Sequence, residues 1–101
     1  MSKTEGEVIE KKQTKLQAPK KYAVVIYNDD YTTFEFVIKV LSEIFNKTAE
    51  QAKIITISVH DQGKGIAGVY IKEIANSKVK QAEELAKAHK YPLRCKAEEI
   101  K

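Results

Sequence analysis

The chain has 101 residues, of which 43% are hydrophobic and 32% charged, with one Cys and a formal net charge of +4. That length holds one domain with a modest core, and no apolar run approaches the roughly 20 residues needed to cross a bilayer. A lone cysteine, Cys95, excludes an internal disulfide framework and a multi-cysteine zinc site, and it suits a reducing compartment.

The excess charge is unevenly placed. Residues 1–21 hold six Lys and three Glu, a balance of +3, and residues 22–101 hold twelve Lys or Arg and eleven acids, a balance of +1. A duplex-binding domain carries its basic stripe on the fold itself. The excess here reads instead as a solvated tail, so no nucleic-acid partner is expected. "MSKTEGEVIEKKQTK" has no apolar core region and is not a secretory signal. A cytoplasmic monomer without membrane attachment is the expectation. Residues 1–20 have few large apolar side chains and cannot offset their ordering entropy, so they are expected to form a disordered arm that ends near Pro19. Residues 21–101 are the expected folded domain.

"KYAVVIY" opens that domain with a β-rich run of strand length. "NDDYT" breaks the run with residues that favour turns. Thr32 and Glu35 then make the capping-box pattern T-x-x-E. Phe34, Val37, Ile38, Leu41, Ile44 and Phe45 follow at three- and four-residue steps. They predict one apolar helix face over roughly 33–46. Thr48 and Gln51 make a second box before "AEQAKIITISVHDQ". The β-branched residues of that segment favour strand, but its cap and apolar spacing favour helix. A helix ending before Gly63 is predicted, with Thr56, Val59 and His60 along one side.

"GKGIAGVYI" reads as a glycine-punctuated strand. Its glycines lack the Lys-Ser or Lys-Thr of a phosphate-binding loop, so a bulge or a close backbone approach is the better reading. A third helix is predicted over about 72–90, with Ile74, Ala75, Val79, Ala82, Leu85 and Ala86 facing inward and Pro92 as its stop. His89 suits the negative end of its dipole. "LRCKAEEI" is a last short strand. The order β-α-α-β-α-β predicts an α+β domain: a three-stranded antiparallel sheet packed against three helices.

Chemistry concentrates at "IYNDDYTTFEF", residues 26–36. The adjacent carboxylates Asp29 and Asp30 admit three readings: a turn with a helix cap, a metal site, or a pocket for a cation. Calcium-loop spacing is absent. Two Asp and His60 make only a weak metal set. A small hydrolase would need a nucleophile, and Cys95 sits in a predicted strand without an evident activating partner. No enzyme activity, metal or cofactor is therefore expected.

"NDDYTTFEFV", "VHDQGKGIAGVY", "EIANSKVKQAEELA" and "YPLRC", in that order and spacing, resemble the ClpS family, adaptors that deliver N-degron substrates to the Clp protease. The resemblance covers residues 22 to about 99. It implies that Asn28, Asp29 and His60 bind a substrate's free α-amino group. It implies that Asp30, Thr32, Phe34, Val37, Thr56, Val59 and Leu93 form a pocket for a first residue Leu, Phe, Tyr or Trp. Glu73 and Lys78 would face the N-terminal domain of a ClpA- or ClpC-type AAA+ unfoldase, and the arm would serve delivery. Two positions depart from the pattern: Phe34 and Thr56 stand where the family usually has Met.

The residue types fit that chemistry. An α-amino group has a pKa of about 7.7–8 and is mostly cationic at neutral pH. It offers donors only, so a matched site needs acceptors, one of them ionised. Asp29 supplies the charge, Asn28 a neutral oxygen, and neutral His60 a ring nitrogen. A hydrogen bond to a charged group contributes roughly 1.5–3 kcal/mol, and burying a Leu- or Phe-sized side chain contributes about the same. Micromolar binding needs about 8 kcal/mol. Such a site should require both a free amine and a bulky apolar side chain. The alternative reading is a small nucleic-acid- or ribosome-associated domain, since folds of this size serve there too.

Overall fold

A computed structural model describes residues 18–101. Its elements run β1 (Lys21–Tyr27), α1 (Phe34–Glu43), α2 (Ala49–Gln62), β2 (Lys64–Ile71), α3 (Lys72–Ala88) and β3 (Arg94–Glu99). Order and type match the α+β expectation. Most of the expected arm, residues 1–17, lies outside the described residues. Residues 18–20 are exposed and belong to no element.

The sheet is antiparallel with strand order β2-β1-β3. The burial of β1 accounts for its central place. Ala23, Val24, Val25 and Ile26 are all buried, so both faces of the strand are covered there, whereas β2 and β3 each keep three exposed residues. Val24 and Ile26 join one core with Val37, Val40 and Leu41 of α1, Ala52 and Val59 of α2, and Ala75, Ala82 and Ala86 of α3. The alanine stripe of α3 adds no bulk between helix and sheet. Among the described residues no helix is long and apolar enough to cross a membrane.

The glycine-rich strand behaves as its composition suggests. The β1–β2 register skips Ala67, pairing Val24 with Gly68 and Val25 with Ile66. At Gly65 a Cβ would lie 2.9 Å from Val59 Cγ2 and 3.3 Å from the Ile55 carbonyl oxygen. Only a bare backbone lets β2 approach α2 that closely.

Four local expectations are corrected. Thr33, not Thr32, caps α1: its hydroxyl accepts the Phe36 N–H at 3.1 Å. Thr32 is drawn away because it donates to Asp29. The helix also stops at Glu43 rather than 46. Asn46 adopts a left-handed φ of 56°, and the Lys47 N–H closes back on the Leu41 carbonyl at 3.0 Å. Starting at Phe34 sets the inward stripe, so Phe36 is buried against Tyr91, with ring centroids 4.7 Å apart, while Phe34 points outward. Ile74 is likewise exposed, one residue off the alanine stripe of α3.

Candidate functional site

Residues 28–33 join β1 to α1. The Asn28 N–H donates to the Gly63 carbonyl at 2.9 Å, which ties the end of β1 to the end of α2. Gly63 caps α2 with a φ of 88°, a left-handed conformation that favours glycine. Asp29 then organises the turn with its own side chain. Its Oδ1 accepts the N–H groups of Tyr31 at 2.8 Å and Thr32 at 2.7 Å, and its Oδ2 accepts the Thr32 hydroxyl at 2.8 Å. Partial burial pushes the Asp29 pKa up, but the hydrogen bonds from the Thr32 N–H, the Thr32 hydroxyl and the Tyr31 N–H outweigh it. The carboxyl is held below its ordinary value. Asp29 is therefore ionised at neutral pH, and Oδ2 retains capacity for another donor.

The opposite wall comes from α2. The reciprocal bonds of Thr48 and Gln51, at 3.0 and 3.1 Å, fix its start. That start brings Thr56, Val59 and His60 toward the turn. Thr56 is buried, and its hydroxyl donates to the Ala52 carbonyl at 2.7 Å. Thr56 thus adds no unpaired polar group to the wall. His60 is exposed, with Nδ1 3.1 Å from Asp61 Oδ1. A neutral ring that donates Nδ1–H to Asp61 keeps Nε2 as an acceptor. Phe34 meets the His60 ring edge-on, with centroids 5.2 Å apart and planes at 72°.

A cavity of about 410 Å³ lies between turn and helix. Asn28, Asp29, Asp30, Thr32, Phe34, Val37, Thr56, Val59 and His60 all line it. Leu93 does not. It is 4% exposed and packed in the same core cluster as Val37 and Val59. Tyr31 and Thr33 also line the cavity and were not singled out from the sequence. Their only signal was adjacency to the Asp pair.

Glu73 and Lys78 lie apart from this cavity, on α3. Glu73 is exposed in its first turn. The Lys78 ammonium is turned inward: it donates to the Ile44 carbonyl at 2.6 Å, at the end of α1, and lies 5.7 Å from the centre of the Tyr70 ring.

Among the described residues no group of three or more His, Cys, Asp and Glu side chains is disposed to hold a metal ion. The Cys95 thiol is pushed up to about 12 by burial and by the Glu83 charge, so it is not a thiolate at neutral pH.

A family model described as "ATP-dependent Clp protease adaptor protein ClpS" matches residues 17–96. The ClpS adapter of Lawsonia intracellularis is 49% identical over 88 residues, which are 87% of this chain and 81% of that protein. The ClpS adapter of Neisseria gonorrhoeae is 50% identical over 82 residues, or 81% of this chain and 79% of that one. Among solved structures, Agrobacterium tumefaciens ClpS2 bound to L-phenylalaninamide superposes with a TM-score of 0.79 at 34% identity, covering 82% of this chain and 100% of that one. By sequence and by fold, the chain belongs to the ClpS family of ATP-dependent Clp protease adaptor proteins.

Proposed function

We propose that this adaptor reads the N-terminal residue of N-degron substrates. Asn28, Asp29 and His60 take the free α-amino group, and the neighbouring cavity takes a first side chain Leu, Phe, Tyr or Trp. One observation carries the reading: a single cavity of about 410 Å³ joins a hydrogen-bonded acidic turn to an apolar wall of Phe34, Val37 and Val59. Acceptors at one end and apolar surface at the other suit a cation joined to a bulky side chain. L-phenylalaninamide, bound by the structural relative, has that form: a free α-amine beside a benzyl group.

Delivery to the N-terminal domain of a ClpA- or ClpC-type AAA+ unfoldase is the second half of the proposal. Glu73 is exposed and suits a partner contact. Lys78 acts there through its aliphatic stem, since its ammonium is engaged by Ile44. Peptide-bond cleavage belongs to the protease, and the adaptor works as a monomer in the cytoplasm.

Fluorescence anisotropy with one labelled peptide in three forms tests the reading. The Leu-first form is expected to bind, and the Nα-acetyl-Leu-first and Glu-first forms are not. Equal binding of all three, or of none, overturns it.

A further inference from the structure

Thr56 is the one polar side chain that is buried among the described residues, at 2% exposure, and it lines the site's cavity beside the apolar Val37 and Val59. Its hydroxyl proton is committed to the Ala52 carbonyl at 2.7 Å. A hydroxyl has one proton and two lone pairs, so the Thr56 oxygen keeps capacity to accept. The other polar residues on the cavity, His60 apart, all belong to the turn of residues 28–33. Thr32 is one of them, and its hydroxyl donates to the Asp29 carboxylate at 2.8 Å, beside the acceptors assigned to the amine. Thr56 stands elsewhere, on α2, one helical turn before His60. At 1.5 Å per residue the two are about 6 Å apart along the helix, on the order of the length of an aromatic side chain. The apolar wall therefore carries a buried acceptor away from the acidic turn.

We propose that Thr56 is a specificity residue: its oxygen accepts the phenol O–H of a first-residue Tyr or the indole N–H of a first-residue Trp, which favours both over Phe. This rests on the amine-reading function proposed above. A purely apolar pocket gives the opposite order for Tyr and Phe. Enclosing a phenol O–H without a partner leaves a buried donor unpaired, which penalises Tyr. An acceptor already in place removes that penalty and lets the site read the donor. Phe and Leu leave the bond from Thr56 to Ala52 intact, so they still bind, and the preference is one of degree.

Anisotropy with free-amine peptides that differ only in a first residue Phe, Tyr or Trp tests this on wild type, Thr56→Val and Thr56→Ser. Val keeps the branched shape and removes the oxygen, and the Ala52 carbonyl keeps its backbone helical bond. Ser keeps the oxygen. Wild type is expected to bind Tyr and Trp at least as tightly as Phe. Thr56→Val should weaken Tyr relative to Phe by about two- to tenfold, the shift a neutral hydrogen bond produces, and should lower Trp in the same direction. Thr56→Ser should keep the wild-type order. Tyr bound more weakly than Phe by wild type, or a Tyr-to-Phe ratio unchanged in Thr56→Val, overturns the inference. The wild-type comparison decides by itself if the Val variant does not fold. Tight binding of the Phe peptide leaves the amine reading intact in either case, and its failure to bind overturns both.

Discussion

Asp29 holds two jobs in one carboxylate. It closes the turn through three hydrogen bonds, and in the proposed function it is the formal charge offered to a ligand ammonium. Substitutions can separate these jobs. Asp29→Ala leaves the Tyr31 and Thr32 N–H groups without their acceptor, and a lost cap of this kind costs about 1 kcal/mol. Asp29→Asn keeps an oxygen for both N–H groups, and the Thr32 hydroxyl can rotate to accept. The Asn variant is expected to melt close to wild type but to bind a Leu-first peptide about tenfold or more weakly. Urea titration and anisotropy on both variants check this. Equal binding loss with equal destabilisation would assign Asp29 to the turn alone.

The same carboxylate sets a pH window. Its pKa is lowered in the folded chain, so its contribution to stability is complete above the ordinary carboxylate value of about 3.9 and is lost as pH falls through the lowered value. Binding should follow that acid limb. The alkaline limb belongs to the ligand, whose amine loses its proton at about 7.7–8. Affinity is expected to be greatest near neutral pH and to fall on both sides. A profile unchanged from pH 4 to pH 10 would remove the ion pair from the site. Phe34 adds a steric element at the rim, where its ring meets His60 edge-on. Phe34→Met frees that ring and replaces a stiff rim with a flexible one. The ranking of Leu, Phe, Tyr and Trp peptides should change, and an unchanged ranking would remove Phe34 from specificity.

At the scale of elements, caps and periodicity made the fold legible. The β-branched run of α2 leans toward strand, yet Thr48, Gln51 and Gly63 bracket it as a helix, and all three act as caps. The capping pattern at Thr32 was misplaced by one residue because pattern alone cannot tell which of two adjacent threonines Asp29 will engage. That shift also decides which of Phe34 and Phe36 faces the core. Lys78 shows a further limit. On a helix surface it reads as a solvated charge, but its ammonium reaches the Ile44 carbonyl at the C-cap of α1, across 34 residues of chain. Lys78→Ala is expected to lower stability by about 1 kcal/mol, measured by urea unfolding of the adaptor alone. Weaker unfoldase binding by that variant would then need correction for the loss. An unchanged midpoint would instead mean that the ammonium is free to meet a partner.

The site itself exists only at the scale of the whole molecule. Residues 28–34 and 56–60 are remote in sequence, and no local pattern joins them. The family resemblance brought them together, and the Asn28 N–H to Gly63 carbonyl bond is one physical tie that does so. Leu93, which the resemblance groups with them, lies just before β3, buried in the core cluster that also holds Val37 and Val59. A ligand that bridges turn and α2 holds together elements that separate on unfolding, so it must stabilise the folded chain. At a concentration 100 times its dissociation constant the gain is about 2.7 kcal/mol. For a domain of this size each kcal/mol raises Tm by about 4–8 °C. L-phenylalaninamide at that excess is therefore expected to raise Tm by at least about 10 °C near neutral pH. Nα-acetyl-phenylalaninamide keeps the benzyl group but offers no ammonium, and it should leave Tm unchanged. Equal shifts from both compounds would show that the apolar wall binds without the acidic turn.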